Sequence, residues 1–268
     1  KFVLSATHMP HLQPLPLIRL DALTLTLEDS LNAPWISQLP STLTYLDFSE
    51  SESPISSMAL KLLPRGIKTL HLNYIVGEDI EEGQNLFPPN LTYLKLYKLP
   101  LTRIKCDTLM KCLPQTLKSF TTSFAGENVE IIELLPPSVT YCYICSSEGV
   151  SHAPIVTVPQ GIRDFNAFVG WEIEDMPIFV LPRCLTRLSM HGLPSPELVK
   201  SLPQTLIQLY LQRPTETEIL DLLPSGLQIL SLNIEGEVKA TGLERMAVLK
   251  SLTIRSFERD VKYFRGTF

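Results

Sequence analysis

The sequence predicts an α/β repeat solenoid of about eleven units of 21–26 residues, each adding one strand to a parallel sheet. Three observations carry this. A Leu-Pro-x-x-Leu-x-x-Leu-x-Leu frame recurs along the chain, apolar residues alternate with period two inside it, and the segments between frames carry short-helix signals.

The frame opens at Leu39-Pro40 and continues through Leu43, Leu46 and Phe48. Leu63-Pro64 then leads to Ile67, Leu70 and Leu72, and the frame returns with Pro88, Pro114, Pro136, Pro159, Pro182, Pro203 and Pro224. Successive prolines are 24, 24, 26, 22, 23, 23, 21 and 21 residues apart. Two units keep the apolar spacing without the proline, at Leu20-Leu23-Leu25 and Leu249-Leu252-Ile254. Alternation with period two is the mark of a strand with one buried face. A strand of this kind becomes stable once the strands of neighbouring repeats stack against it. The proline precedes the strand, where its missing N–H costs little and its fixed φ ends a preceding helix.

The return segments predict a convex side of short helices and irregular loops. Helices are expected at Ser57–Leu63, Thr108–Leu113, Asn128–Leu135, Pro196–Leu202 and Glu216–Leu223. Ser195-Pro196 has the composition of an N-cap followed by proline in the first turn, and Thr215 with Glu218 has capping-box spacing. Val150–Val158 and Glu172–Leu181 carry β-branched residues or an interrupting proline and are expected to be extended or irregular. The organisation expected is an N-terminal cap over 1–16, the solenoid over 17–256 and a C-terminal cap over 257–268.

The repeated Leu-x-x-Leu-x-Leu unit at this period resembles the leucine-rich-repeat family over roughly residues 17–256. The Leu-Pro lead-in is similar to repeats of secreted bacterial effectors and to FNIP-type repeats of amoebae and large viruses. The resemblance implies a right-handed solenoid with a concave parallel sheet, and a non-catalytic scaffold that binds a protein or peptide. It also implies an alternative, the substrate-recognition part of a larger ubiquitin-ligase-type protein. One departure is plain. The family's Asn or Cys, three residues after the last strand leucine, is replaced here by residues such as Ser51, Ile75, Leu99 and Leu193. The turn amides therefore need another source of hydrogen bonds.

Four positions per repeat face the concave side: those before, between, and one and two after the paired strand apolars. Seven of the eight tyrosines fall on them, although these positions make up about a sixth of the chain. The partner-binding residues expected are Tyr45, Asp47, His71, Tyr93, Lys95, Tyr97, Tyr141, Tyr143, Phe168, Arg187, His191 and Tyr210. Tyr74, Phe124, Glu50, Asp164 and Arg213 share the same set of positions. Rigid amphipathic rings of this kind are typical of recognition surfaces. Tyrosine's own strand propensity would also draw it to these positions.

The mixed signs on this face point to a protein or peptide partner. A net charge of −5 argues against a general nucleic-acid binder, which needs a basic surface. The charge is uneven: residues 245–268 carry a net +4, expected of a solvated end cap that can also contact an acidic partner or phosphates, and the structural alternative is self-assembly through the solenoid ends or faces. No apolar run is long enough to span a membrane as a helix. There is no nucleophile elbow, phosphate-cradling glycine loop or His-Glu-x-x-His, so neither enzyme activity nor a cofactor is expected. His8 and His11 have a spacing that could hold a metal but lack nearby carboxylates, and the acidic run Glu78, Asp79, Glu81 and Glu82 is expected to be a solvated loop. Cys142 and Cys145 form a C-x-x-C, yet the frame sends the first inward and the second outward. Five cysteines without framework spacing favour a reducing, cytoplasmic compartment, while Asn90-Leu91-Thr92 is a lone glycosylation pattern that leaves secretion open.

Overall fold

The computed structural model describes residues 2–6, 21–27, 34–51, 54–76, 80–99, 103–124, 128–146, 154–169, 177–191, 196–215, 217–234, 241–256 and 260–263. The chain divides into two compact units, Lys1–Val139 and Thr140–Phe268.

In the first unit the strands are β1 (Phe2–Ala6), β2 (Ala22–Leu27), β3 (Tyr45–Phe48), β4 (Ile55–Ser56), β5 (Thr69–Val76), β6 (Tyr93–Leu99) and β7 (Ser119–Phe124). All but β4 form one parallel ladder in the order β1-β2-β3-β5-β6-β7, and β4 pairs with the end of β5. The register keeps each frame leucine beside its counterpart, Leu46 with Leu70, Leu70 with Leu94 and Leu94 with Phe120. These side chains are fully buried, so each repeat's inward residues become the wall against which the next repeat packs. The ladder begins with a strand at Phe2–Ala6, ahead of the first recognisable leucine frame.

The second unit contains β8 (Tyr141–Ser146), β9 (Ile155–Thr157), β10 (Asp164–Val169), β11 (Ile178–Val180), β12 (Arg187–Met190), β13 (Gln208–Thr215), β14 (Ile229–Ile234), β15 (Ser251–Ser256) and β16 (Asp260–Tyr263). Its ladder runs β8-β10-β12-β13-β14-β15 in parallel, and β16 closes on β15 antiparallel. Strands β9 and β11 form a separate parallel pair in the return segments. Phe165 on β10 and Phe179 on β11 meet edge to face at 5.2 Å, which ties that pair to the main sheet.

The return segments hold helices α1 (Ser57–Lys61), α2 (Arg103–Lys111), α3 (Pro196–Lys200) and α4 (Thr241–Glu244). Ser56 caps α1, its hydroxyl accepting from the Ala59 amide at 3.2 Å. Helix α2 starts five residues earlier than Thr108, because Arg103, Ile104 and Lys105 tolerate helix as well as the residues after them. The segments expected as helices at Asn128 and Glu216 are tighter 3-10 turns, at Asn128–Leu134 and Thr217–Leu222. The capping residues expected around Ser195 and Glu216 fall at least partly outside the described residues, as do His8 and His11.

The proline frame has a backbone function that the missing Asn ladder does not hint at. In all nine proline repeats the Pro carbonyl accepts from the amide three residues on, for example Leu43 to Pro40 at 3.0 Å and Leu206 to Pro203 at 3.0 Å. The carbonyl four residues after the proline accepts two amides from the following repeat, as Thr44 does from Lys68 and Thr69 at 2.8 and 3.0 Å. The residue two after the proline reaches back to the previous repeat. The Thr116 hydroxyl donates to the Pro89 and Leu91 carbonyls at 2.8 and 2.9 Å, and the Thr205 hydroxyl to Arg183 and Leu185 at 2.6 and 2.9 Å. Ser138, Cys184 and Asn90 occupy the same position and make the same kind of bond. Thr42 stands at this position after Pro40, and at the remaining three it is glycine (Gly66, Gly161 and Gly226); a Cβ at Gly66 would lie 2.9 Å from the Ser41 carbonyl oxygen. The family's usual Asn site is then free to be apolar, and Ile75 and Leu99 are buried there. Asn73 and Asn233, each two residues earlier in the frame, donate instead to the carbonyls of Ser51 and Gln212.

Candidate functional site

Alternation along each ladder strand sends one row of side chains into the core and the other to the open face. Strand β8 shows it fully: Cys142 and Ile144 are buried, while Tyr141, Tyr143 and Cys145 are half-buried on the face. The two thiols of the C-x-x-C therefore point to opposite sides, and burial pushes the Cys142 thiol up beyond any reactive range. Among the described residues, no three metal-ligating side chains converge.

In the first unit the face is organised around Asp47. Its Oδ2 accepts from the Tyr45 hydroxyl at 2.9 Å and from His71 Nδ1 at 3.2 Å, and its Oδ1 from the Ser49 amide at 2.9 Å. Burial by itself would raise the Asp47 pKa, but the bonds from His71, Ser49 and Tyr45 outweigh it and hold the carboxyl well below the usual carboxylate range. Burial, then the hydrogen bond to Asp47 and its charge, pushes Tyr45 up to about 12. An ionised carboxylate can only accept, so Nδ1 of His71 carries the proton of that bond. The His71 ring lies 5.3 Å from both the Tyr45 and the Tyr93 rings, making a continuous aromatic strip across β3, β5 and β6. On β6 the Lys95 ammonium sits 4.1 Å over the Tyr97 ring. Among the described residues, the Tyr93 and Tyr97 hydroxyls and the Lys95 ammonium have no hydrogen-bond partner.

Asp47 gives a pH prediction. A depressed folded-state pKa contributes stability that is fully present above the unfolded value of about 3.9 and is lost as pH falls toward the folded value. Asp47→Asn is therefore expected to cost about 1–2 kcal/mol at pH 7. The gap between the two proteins should close as pH falls from about 4, read from urea midpoints at a series of pH values. A constant gap across that range would show that the carboxylate charge is irrelevant.

In the second unit Asp164 and Arg187 are register partners and pair at 3.2 Å. Asn166 donates to the other Asp164 oxygen at 2.8 Å. Burial raises the Asp164 pKa despite the opposing Arg187 and Asn166. Arg187 Nε donates to Gln208 Oε1 at 2.9 Å, and the Tyr210 hydroxyl reaches the same oxygen at 3.3 Å. Phe168 and His191 rings lie 4.4 Å apart, and burial lowers the His191 pKa.

Every partner-binding residue expected from the sequence thus stands on the outward rows of the ladders. Tyr45, Asp47, His71 and Tyr93 form one contiguous group, Lys95 and Tyr97 a pair beside it, and Phe168 and His191 another pair. Of the expected residues, Tyr93, Lys95 and Tyr97 lie in the first unit and Tyr141 and Tyr143 in the second. Sequence reasoning missed Gln208 and Asn166, the amides that bind the second unit's charges together. Both occupy frame positions that hold tyrosine in other repeats, so the signal was there. The side chain of Arg213 lies outside the described residues.

One parallel strand per repeat, with frame leucines stacked in register across consecutive repeats, decides the architecture. The chain has the leucine-rich-repeat fold. Among solved structures, this leucine-rich-repeat chain is similar to LegL7, a leucine-rich repeat-containing protein from Legionella pneumophila. That match has 13% identity over 97% of this chain and 92% of the other, with a TM-score of 0.47. It is also similar to CroV588, described as a circular LRR protein, with 19% identity over 87% of this chain and 36% of that one and a TM-score of 0.49. No family model and no curated protein matches the sequence.

Proposed function

We propose that this chain is a non-catalytic interaction scaffold that holds a protein or peptide partner on the tyrosine-rich outward face of its sheet. The observation that carries the reading is the first unit's strip of half-buried rings, whose polar tips at Tyr93, Tyr97 and Lys95 lack hydrogen-bond partners among the described residues. Strand pairing and ring contacts already restrict these side chains, so ordering them on binding costs little entropy. Their apolar bodies supply contact area, and their tips can bond to a partner backbone or carboxylate. None of the five cysteines is joined in a disulfide, which favours a compartment where thiols stay reduced.

The test is Tyr93→Ala/Tyr97→Ala. Light scattering should report a monomer for both proteins, with unchanged urea midpoints because neither hydroxyl supports the fold. A partner that copurifies with the wild type should bind the variant at least tenfold more weakly, a loss typical of two aromatic anchors. If the wild type is instead an assembly that the variant abolishes, the face packs against another copy of the chain. Undiminished partner binding by the variant would remove the face from recognition.

A further inference from the structure

The first unit's return segments are not alike, and the exception creates a second surface. Helix α1 precedes Pro64 and α2 precedes Pro114, but among the described residues the intervening segment before Pro88 holds no helix. Its residues 80–87 pass through a turn at Glu82 and Gly83, where Gly83 adopts φ +82°, a left-handed conformation costly for any residue with a Cβ. The space a helix would fill is a groove of about 490 Å³, with Leu60, Leu86, Phe87 and Leu113 among its apolar lining.

Three cations, Lys61, Arg65 and Lys111, line this groove, and no carboxylate does. The repeat frame brings them there: Lys61 and Lys111 each stand three residues before their proline, and Arg65 one residue after Pro64. Lys111 is paired at 3.0 Å with Glu82, but both are exposed, and such a pair exchanges readily for another carboxylate. Among the described residues, Lys61 and Arg65 have no ion-pair partner. Gln84, also in the lining, donates its Nε2 to Glu81 Oε2 at 2.8 Å, and its Oε1 is enclosed by the protein.

We infer that this groove binds an extended acidic peptide segment of a partner protein, its carboxylates at Lys61, Arg65 and Lys111 and its apolar stems on the leucines and phenylalanine of the lining. A bare inorganic anion would satisfy the cations but leave the apolar lining uncovered, whereas a peptide supplies both charge and apolar surface. The protein as a whole is negative, at −5, so a polyanion is attracted by this local cluster and not by the overall field. The inference concerns a surface separate from the outward face and does not depend on what that face binds.

The probe is a fluorescein-labelled hexaglutamate peptide titrated with the full chain and followed by anisotropy. Saturable binding is expected, weakened at least tenfold by Lys61→Glu/Arg65→Glu and unchanged by Tyr93→Ala/Tyr97→Ala. Lys61 and Arg65 are exposed, so the charge reversal should leave the melting temperature in place. If it does not, Lys61→Gln/Arg65→Gln makes the same comparison. No binding by the wild type, or equal binding by the charge variants, overturns the inference and leaves the outward-face reading standing. Binding lost only in the tyrosine variant moves the peptide to the sheet and equally overturns it.

Discussion

Phe165→Ala is expected to lower the stability of the chain by about 3–5 kcal/mol, the range for emptying a large aromatic site in a packed core. Phe165 is fully buried on β10, a strand paired on both sides, and its ring meets Phe179 from the return segment. The cavity would open between the two layers that one repeat must hold together. Relaxation is limited because β8 and β12 fix the backbone on either side. Urea denaturation measures it, and a cycle with Phe179→Leu should reveal coupling of about 0.5–1.5 kcal/mol beyond area burial. A loss below about 1 kcal/mol would mean that the site collapses and that the two layers are not tightly joined.

Gly66→Ala is expected to be costly for the opposite reason, too much volume. The backbone φ at Gly66 is not in the left-handed region, so the whole effect comes from the Cβ meeting the Ser41 carbonyl at 2.9 Å. That oxygen belongs to the preceding proline turn and cannot rotate away as a side chain would. Overpacking of this kind costs about 1–3 kcal/mol. Gly226→Ala is the matched control, since its Cβ would lie 3.5 Å from the Gln204 carbonyl, an ordinary contact. It should be neutral or stabilising by about 0.4–1 kcal/mol through the unfolded chain. Equal thermal shifts for the two substitutions would refute close approach as the reason for glycine at Gly66.

The contrast between these sites shows what could be read from residues alone. Strand positions were legible because leucine spacing and period-two burial are the same fact seen twice, as Leu70 and Leu94 illustrate. The return segments were legible in place but less so in type, because a short polar-apolar stretch such as Asn128–Leu134 satisfies either helical pitch. The ladder at the second residue after each proline was hidden by its variety. Threonine, serine, asparagine, cysteine and glycine share no propensity there, only the requirement to be small or to donate to a carbonyl one repeat away. The outward face was legible by row, whereas its bonding was not: Asp47 takes its ligands from two strands, and Gln208 serves both Arg187 and Tyr210. Such convergence depends on rotamers and register together. The groove at Gln84 was still less visible, since its described residues before Pro88 form a turn where the segments before Pro64 and Pro114 form helices.

Every side-chain bond of the proline ladder runs the same way, from a repeat to the one before it. Each joint is therefore completed by the later member and asks of the earlier one nothing but two backbone oxygens. Any segment carrying the frame presents those oxygens, whatever its other residues. As far as this ladder goes, units of 21–26 residues are interchangeable, and exchange is constrained by how their inward side chains pack against the neighbouring repeats. In such a chain length is a heritable count, and the face it displays can lengthen by recombination in steps of one strand.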